Sequence, residues 1–195
     1  MTVLTHGLTD AKVGFTTMAE FTKADHDLAF AHEEVQVHSQ ADRVMDWLDQ
    51  MNGPSPYLVS RLEHVLQSAT RAERDGADTE TIVMALLHDI GDVIGTANHS
   101  EVGAALLRPY VSEQNYWIVK HHGLFQGYYW FGHYGRNPNE RDRHQDHPFY
   151  AETVRFCAEW DQNCFDPAYD HQPLEHFEPM VREIFARAPK DPFDA

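Results

Sequence analysis

The sequence predicts an all-α fold, and three observations carry the prediction. Apolar residues recur at helical spacing in several windows. No run alternates with the period of two that a half-buried strand needs. Ser, Asp and Pro stand at the places where those windows begin. No internal repeat is visible. Residues 1–38 show no clean period and carry His26, His32, Glu33, Glu34 and His38, so they read as an irregular or partly helical arm. Residues 39–195 read as one domain.

Each element has its own signal. Ser39 suits an N-cap, Val44, Leu48 and Met51 share a face, and Gly53 ends the run. Pro54-Ser55-Pro56 forces a turn. A second helix is expected from about Tyr57 to Arg74, with Leu58, Leu62, Val65, Leu66 and Ala69 as its stripe, closed by Asp75-Gly76. Asp78 caps a third, apolar through Ile82, Val83, Leu86 and Leu87, and it closes at His88-Asp89-Ile90-Gly91-Asp92. A fourth runs from near Ser100 through Leu107 and stops before Pro109. Ser112 opens a fifth, which is expected to reach about His122. Residues 123–147, rich in glycine and aromatics, read as a long loop. Pro148 starts a sixth helix with Val154, Phe156, Cys157 and Trp160. Pro173 suits the first turn of a last one, whose stripe is Phe177, Met180, Val181, Ile184 and Phe185.

Composition narrows the function. The chain has 195 residues, with 15 Lys+Arg against 31 Asp+Glu and a formal charge of −16. No basic cluster interrupts that acidity, which argues against a nucleic-acid or anionic-membrane partner. A hydrophobic content of 42% is too high for a disordered chain. Cys157 and Cys164 cannot build a disulfide framework and lack a metal-binding spacing. The apolar runs are far shorter than a membrane span, and Met1–Gly7 has neither a basic nor an apolar leader, so a cytoplasmic protein is expected. The 14 histidines beside so many carboxylates point to a metal site.

The chemistry concentrates in His64, His88-Asp89 and Asp161. An aspartate at the end of a buried helix needs a cation to face, and a metal supplies one. Two helices in succession, one carrying His64 and the next ending at His88, could bring both imidazoles together. With these residues the sequence resembles the HD-domain superfamily, whose H…HD…D signature would be His64, His88-Asp89 and Asp161. The HDIG form, His88-Asp89-Ile90-Gly91, is specific, and the resemblance spans about residues 57–165 of a helical bundle. Most of that superfamily are metal-dependent phosphohydrolases. A smaller branch holds mixed-valent di-iron oxygenases, similar to myo-inositol oxygenase and to enzymes that cleave carbon–phosphorus bonds. That branch adds two histidines. His99, opening His-Ser-Glu-Val-Gly-Ala, is similar to one of them, and His122, in Ile118-Val-Lys-His-His-Gly-Leu-Phe, to the other. Adjacent helical residues point about 100° apart, so only one of His121 and His122 can face a metal. The local match favours His122.

The resemblance therefore implies two iron ions, Fe(II)/Fe(III), with O2 as co-substrate. His64, His88, Asp89 and Asp161 would hold one ion and Asp89, His99 and His122 the other. Asp89 and Asp92 would be the carboxylates of the catalytic site. Three positions depart from the aminophosphonate-cleaving members of the branch. Asp92 stands where they have a histidine, their Tyr-x-x-Glu is absent around Pro54–Tyr57, and Gln126 replaces a lysine. Metal signature kept and substrate contacts changed imply the same reaction on another small organophosphonate. A negative Asp92 and the rings of Tyr128, Tyr129, Trp130, Phe131 and Tyr134 suit a quaternary ammonium group. The implied reaction takes (R)-1-hydroxy-2-(trimethylammonio)ethylphosphonate and O2 to glycine betaine and phosphate. Asp92, Tyr129, Trp130, Lys120 and Arg155 are candidate substrate contacts, and Arg136, Arg141 and Arg143 are further cations for the phosphonate. A phosphohydrolase acting on a nucleotide or phosphomonoester explains His64, His88, Asp89 and Asp161 as well, and His99, His122 and the aromatic stretch less well.

Overall fold

A computed structural model describes residues 10–190, so the Met1–Gly7 stretch lies outside the described part. The described residues form helices and turns and no strand, an all-α fold. The chain divides into two units at Val44/Met45.

The first unit holds α1 (Lys23–His38), a regular helix where the sequence reads as irregular or partly helical. Its start is local chemistry. Thr22 accepts from the Asp25 backbone N–H, and the Asp25 side chain accepts from the Thr22 N–H, a reciprocal pair that satisfies two otherwise orphaned donors. None of its residues is buried, which is why no apolar period betrays it. Helix α2 (Gln40–Gln50) runs across the boundary between the units, and Leu48 within it and Met51 just after it are buried.

The second unit carries the rest. Helix α3 (Arg61–Arg74) begins four residues later than the Tyr57 start expected from its apolar stripe. Ser60 caps it, accepting from Glu63 N at 3.1 Å, while the Glu63 carboxylate accepts from Ser60 N at 2.6 Å. Leu58, assigned to the stripe, is exposed. Helix α4 (Thr79–Leu87), capped by Asp78, buries Ile82 through Leu87 without a gap, since it packs on α3, α7 and α9 at once. The His88–Gly91 turn leads into the short α5 (Asp92–Gly95), then α6 (His99–Leu107). Gly91 is required here, because a Cβ would lie 2.1 Å from the His99 carbonyl oxygen and 2.9 Å from Gly103 N.

Helix α7 (Glu113–Gln126), capped by Ser112, runs one turn beyond His122. The stretch expected as a loop is largely three 3₁₀ turns, Gly127–Tyr129, Phe131–Tyr134 and Pro138–His144. Helix α8 (Tyr150–Phe156) passes into a π-helical turn, Cys157–Asp161, and α9 (Leu174–Phe185) packs on α4 through Phe177, Val181, Ile184 and Phe185.

Candidate metal centre

Four imidazoles and two carboxylates converge from five separate segments. His64 comes from the first half of α3, His88 and Asp89 from the end of α4, His99 from the first turn of α6, His122 from α7 and Asp161 from the π-helical turn. His64, His88, His122 and Asp161 are buried, and His88 has no exposure at all. Two groups satisfy metal-ligand spacing, His64 with His88 and Asp161, and His88 with Asp89 and His122.

The backbone fixes each ring. His64 Nδ1 donates to Cys164 O at 3.1 Å, His88 Nδ1 to Ala85 O at 2.8 Å, His99 Nδ1 to Thr96 O at 3.2 Å and His122 Nδ1 to Val119 O at 2.7 Å. All four Nε2 atoms are thereby left as acceptors aimed inward. His64 Nε2 and His88 Nε2 lie 3.2 Å apart, and His99 Nε2 and His122 Nε2 3.3 Å apart. Two facing lone pairs repel unless a proton or a cation lies between them.

Asp89 stands between the two pairs and shows each a different oxygen. Oδ1 is 3.1 Å from His122 Nε2 and 3.4 Å from His99 Nε2. Oδ2 is 3.6 Å from His64 Nε2 and 3.7 Å from His88 Nε2. Asp161 Oδ1 lies 3.4 Å and 3.7 Å from the same two nitrogens, and its Oδ2 is buried with no hydrogen-bond partner. A buried carboxylate oxygen left so is costly unless a cation meets it.

The electrostatics agree. Burial pushes His88 down to about 4. Burial also works against charging His64 and His122, yet the Asp161 carboxylate at His64 and the Asp89 carboxylate at His122 outweigh it and raise both. Burial opposes the ionised Asp89, but His88, His122 and His64 hold it well below the usual carboxylate range. The two carboxylates thus favour positive charge at the cluster. Nitrogen and carboxylate donors in this number fit two divalent or trivalent ions, and iron among them.

Among the adjacent histidines, His122 faces Asp89. His121 instead packs against Trp117, with ring centroids 3.8 Å apart. A pocket of about 510 Å3 opens on the cluster, within the range of small-molecule sites. Asp92 and Trp130 line it. Tyr129, Lys120 and Arg155, the other expected substrate contacts, are not among its lining residues. Tyr129 sits in the 3₁₀ turn Gly127–Tyr129 with its ring edge-on to Tyr128. Lys120 precedes His122 by two residues, which puts it on the other side of α7, over the Tyr116 ring. Arg155 pairs with Glu159 at 3.0 Å and stands over Trp160. Of the other cations, Arg136 lines the pocket, and Arg141 stands over the Tyr128 ring.

Residues given no role at the metal cluster from sequence appear as well. Tyr57 and Phe165 line the pocket with rings 5.1 Å apart, and Phe165 stacks on His64 at 4.6 Å. Gln126 donates from Nε2 to Asp161 Oδ1 at 2.7 Å, orienting that carboxylate. Its i, i+4 relation to His122 is the signal that could have found it. Asp92 is not a free charge, because Arg61 is ion-paired with it.

Residues 61–148 match the family model of the HD domain. Members of that family are typically metal-dependent enzymes. The match contains five of the six converging residues and ends before Asp161. No curated protein matches the chain. Among the described residues no helix is long and apolar enough to cross a membrane.

Proposed function

We propose that this protein is an HD-domain di-iron oxygenase that cleaves the carbon–phosphorus bond of a small 1-hydroxyphosphonate. The observation that carries the reading is the division of Asp89. One oxygen faces His64 and His88, and the other faces His99 and His122. That gives a six-residue dinuclear set rather than the four-residue H…HD…D set alone, and the two added histidines are what the oxygenase branch of the resemblance has. A mixed-valent iron pair held by these six residues would supply O2 activation and Lewis acidity.

The protein's own part is placement. Asp89, the four imidazoles and Asp161 fix where the substrate's hydroxyl-bearing carbon must lie. Tyr57, Trp130, Phe131 and Phe165 give the pocket an aromatic wall. A trimethylammonium group suits that wall, since it offers charge but no N–H donor, and a desolvated cation–π contact is worth about 2 kcal/mol. With Asp92 paired to Arg61, the rings carry this recognition. The substrate we propose is (R)-1-hydroxy-2-(trimethylammonio)ethylphosphonate, converted to glycine betaine and phosphate.

The test is stoichiometry. Purified protein is assayed for metal by elemental analysis and Mössbauer spectroscopy, then given the hydroxyphosphonate in an oxygen electrode. Two coupled irons per chain and one phosphate released per O2 consumed are expected. Undiminished phosphate release from a phosphomonoester under argon would establish a phosphohydrolase in its place.

A further inference from the structure

The pocket's charge is carried by few groups once the six converging residues are set aside. Among the described residues that line it, the remaining ionised side chains are Asp92, Arg61 and Arg136. The two arginines are not equivalent. Arg136 is committed, with Nε and Nη2 on Glu140 at 3.4 and 2.8 Å and its guanidinium lying over the Phe131 ring at 3.8 Å. Arg61 spends one nitrogen on Asp92 and, among the described residues, makes no other ion pair or hydrogen bond.

Local structure holds Arg61 in place. It is the first residue of α3, presented by the Ser60 cap, and it lies one turn before His64. The Asp92 side chain is 5% exposed, with Oδ1 buried without a hydrogen-bond partner and 3.8 Å from His99 Nδ1. Arg61 and Asp92 also line a second cavity of about 130 Å3 beside the first, so the pair forms a wall with space on both sides. A side chain 37% exposed, with unused donors and room to shift, is not built as a closed structural pair.

We infer that Arg61 recognises the anionic phosphorus oxygens of the substrate, with Asp92 as the positioning residue that holds the guanidinium against the pocket until the anion arrives. A planar guanidinium meets two oxygens of a phosphonate or phosphate with parallel N–H donors, which an ammonium cannot do. The chain's charge of −16 opposes approach of an anion, so a local cation at the seat is needed to retain one. The inference rests on the proposed pocket and its organophosphorus ligand, but not on the use of O2.

The experiment measures binding of inorganic phosphate and methylphosphonate to the metal-loaded protein by calorimetry, with metal content determined for each variant. Arg61→Lys keeps the charge and loses the fork, and should weaken binding roughly tenfold. The double variant Arg61→Gln/Asp92→Asn leaves no buried carboxylate unpaired, so it stays folded where Arg61→Gln alone risks instability. It should weaken binding roughly 30- to 100-fold at unchanged metal content, the scale of a lost charge-assisted pair. In turnover KM should rise while kcat changes little. Phosphate affinity within twofold of the parent in the double variant overturns the inference, as does a loss fully explained by lost metal. A finding of hydrolysis in place of oxygen use would leave it standing, because a phosphomonoester carries the same oxygens.

Discussion

At Asp89, one carboxylate is asked to serve two imidazole pairs, and this makes its removal different in kind from removal of any histidine. Asp89→Ala should take the protein from two bound ions to none, whereas His99→Ala should release mainly the ion on the Oδ1 side. Elemental analysis after chelator challenge reads the difference. Two ions retained by Asp89→Ala would contradict a shared ligand. The HD pair, His64 and Asp161 were legible in sequence as a set: a His-Asp step alone reads as a core histidine beside a cap residue, and the match of all four to the H…HD…D signature is what turns it into a metal site. Gln126 was not legible in that way. It read only as a missing lysine, since its hydrogen bond reaches Asp161, 35 positions away. Asp92 illustrates a second limit. Its charge is plain from sequence, but its neutralisation by Arg61 depends on how the α3 start meets the turn after α4.

Among the elements, the turn between α4 and α6 carries the tightest constraint. Any side chain at Gly91 would strike the first turn of α6, and that turn bears His99. Gly91→Ala should therefore cost about 1–3 kcal/mol of stability, as overpacking against backbone does. It should lower the melting temperature by roughly 2–4 °C per kcal/mol. It should also release the ion on the His99 side before the other, which separates it from general destabilisation. Calorimetry and metal analysis on one sample check both. Elements whose apolar faces are buried, such as α4 and α9, were readable from periodicity. The start of α3 was misread because Leu58 extends the stripe by chance, while the signal that decides it, Ser60 with Glu63, is polar. The 3₁₀ turns after α7 escaped because a stretch of glycines and rings gives no apolar period, and their shape comes from contacts such as Phe131 against Gly127.

At the scale of the molecule, Glu80 ties distant parts together. From α4 its carboxylate accepts from Ser112 N at 2.7 Å and Asn115 Nδ2 at 2.9 Å, and it pairs with Arg187 beyond α9. Burial alone would raise its pKa. The Ser112 N–H and the Arg187 guanidinium outweigh burial and hold it at about 2. The folded value lies below the unfolded one, so this contribution is complete above about pH 4.5 and is lost as pH falls toward 2. Glu80→Gln should cost about 1–3 kcal/mol at pH 7 and much less at pH 2, where the parent has lost the same contribution. Melting curves at the two values should therefore converge at acid pH. Curves that stay equally separated would show that the carboxylate's charge is not what matters.

The converging donors also bear on how the chain comes to be folded. They are brought together across sequence separations of 23, 24 and 33 residues, and the His64 ring is steadied by a carbonyl 100 residues away. Ions seated among them would act as non-covalent cross-links closing several long loops at once, each with its own entropic cost. The metal supply would then govern how long a newly made chain stays intact as well as how fast it works, because without ions the facing donors of α3, α4, α6, α7 and the π-helical turn are not tied to one another at their meeting point.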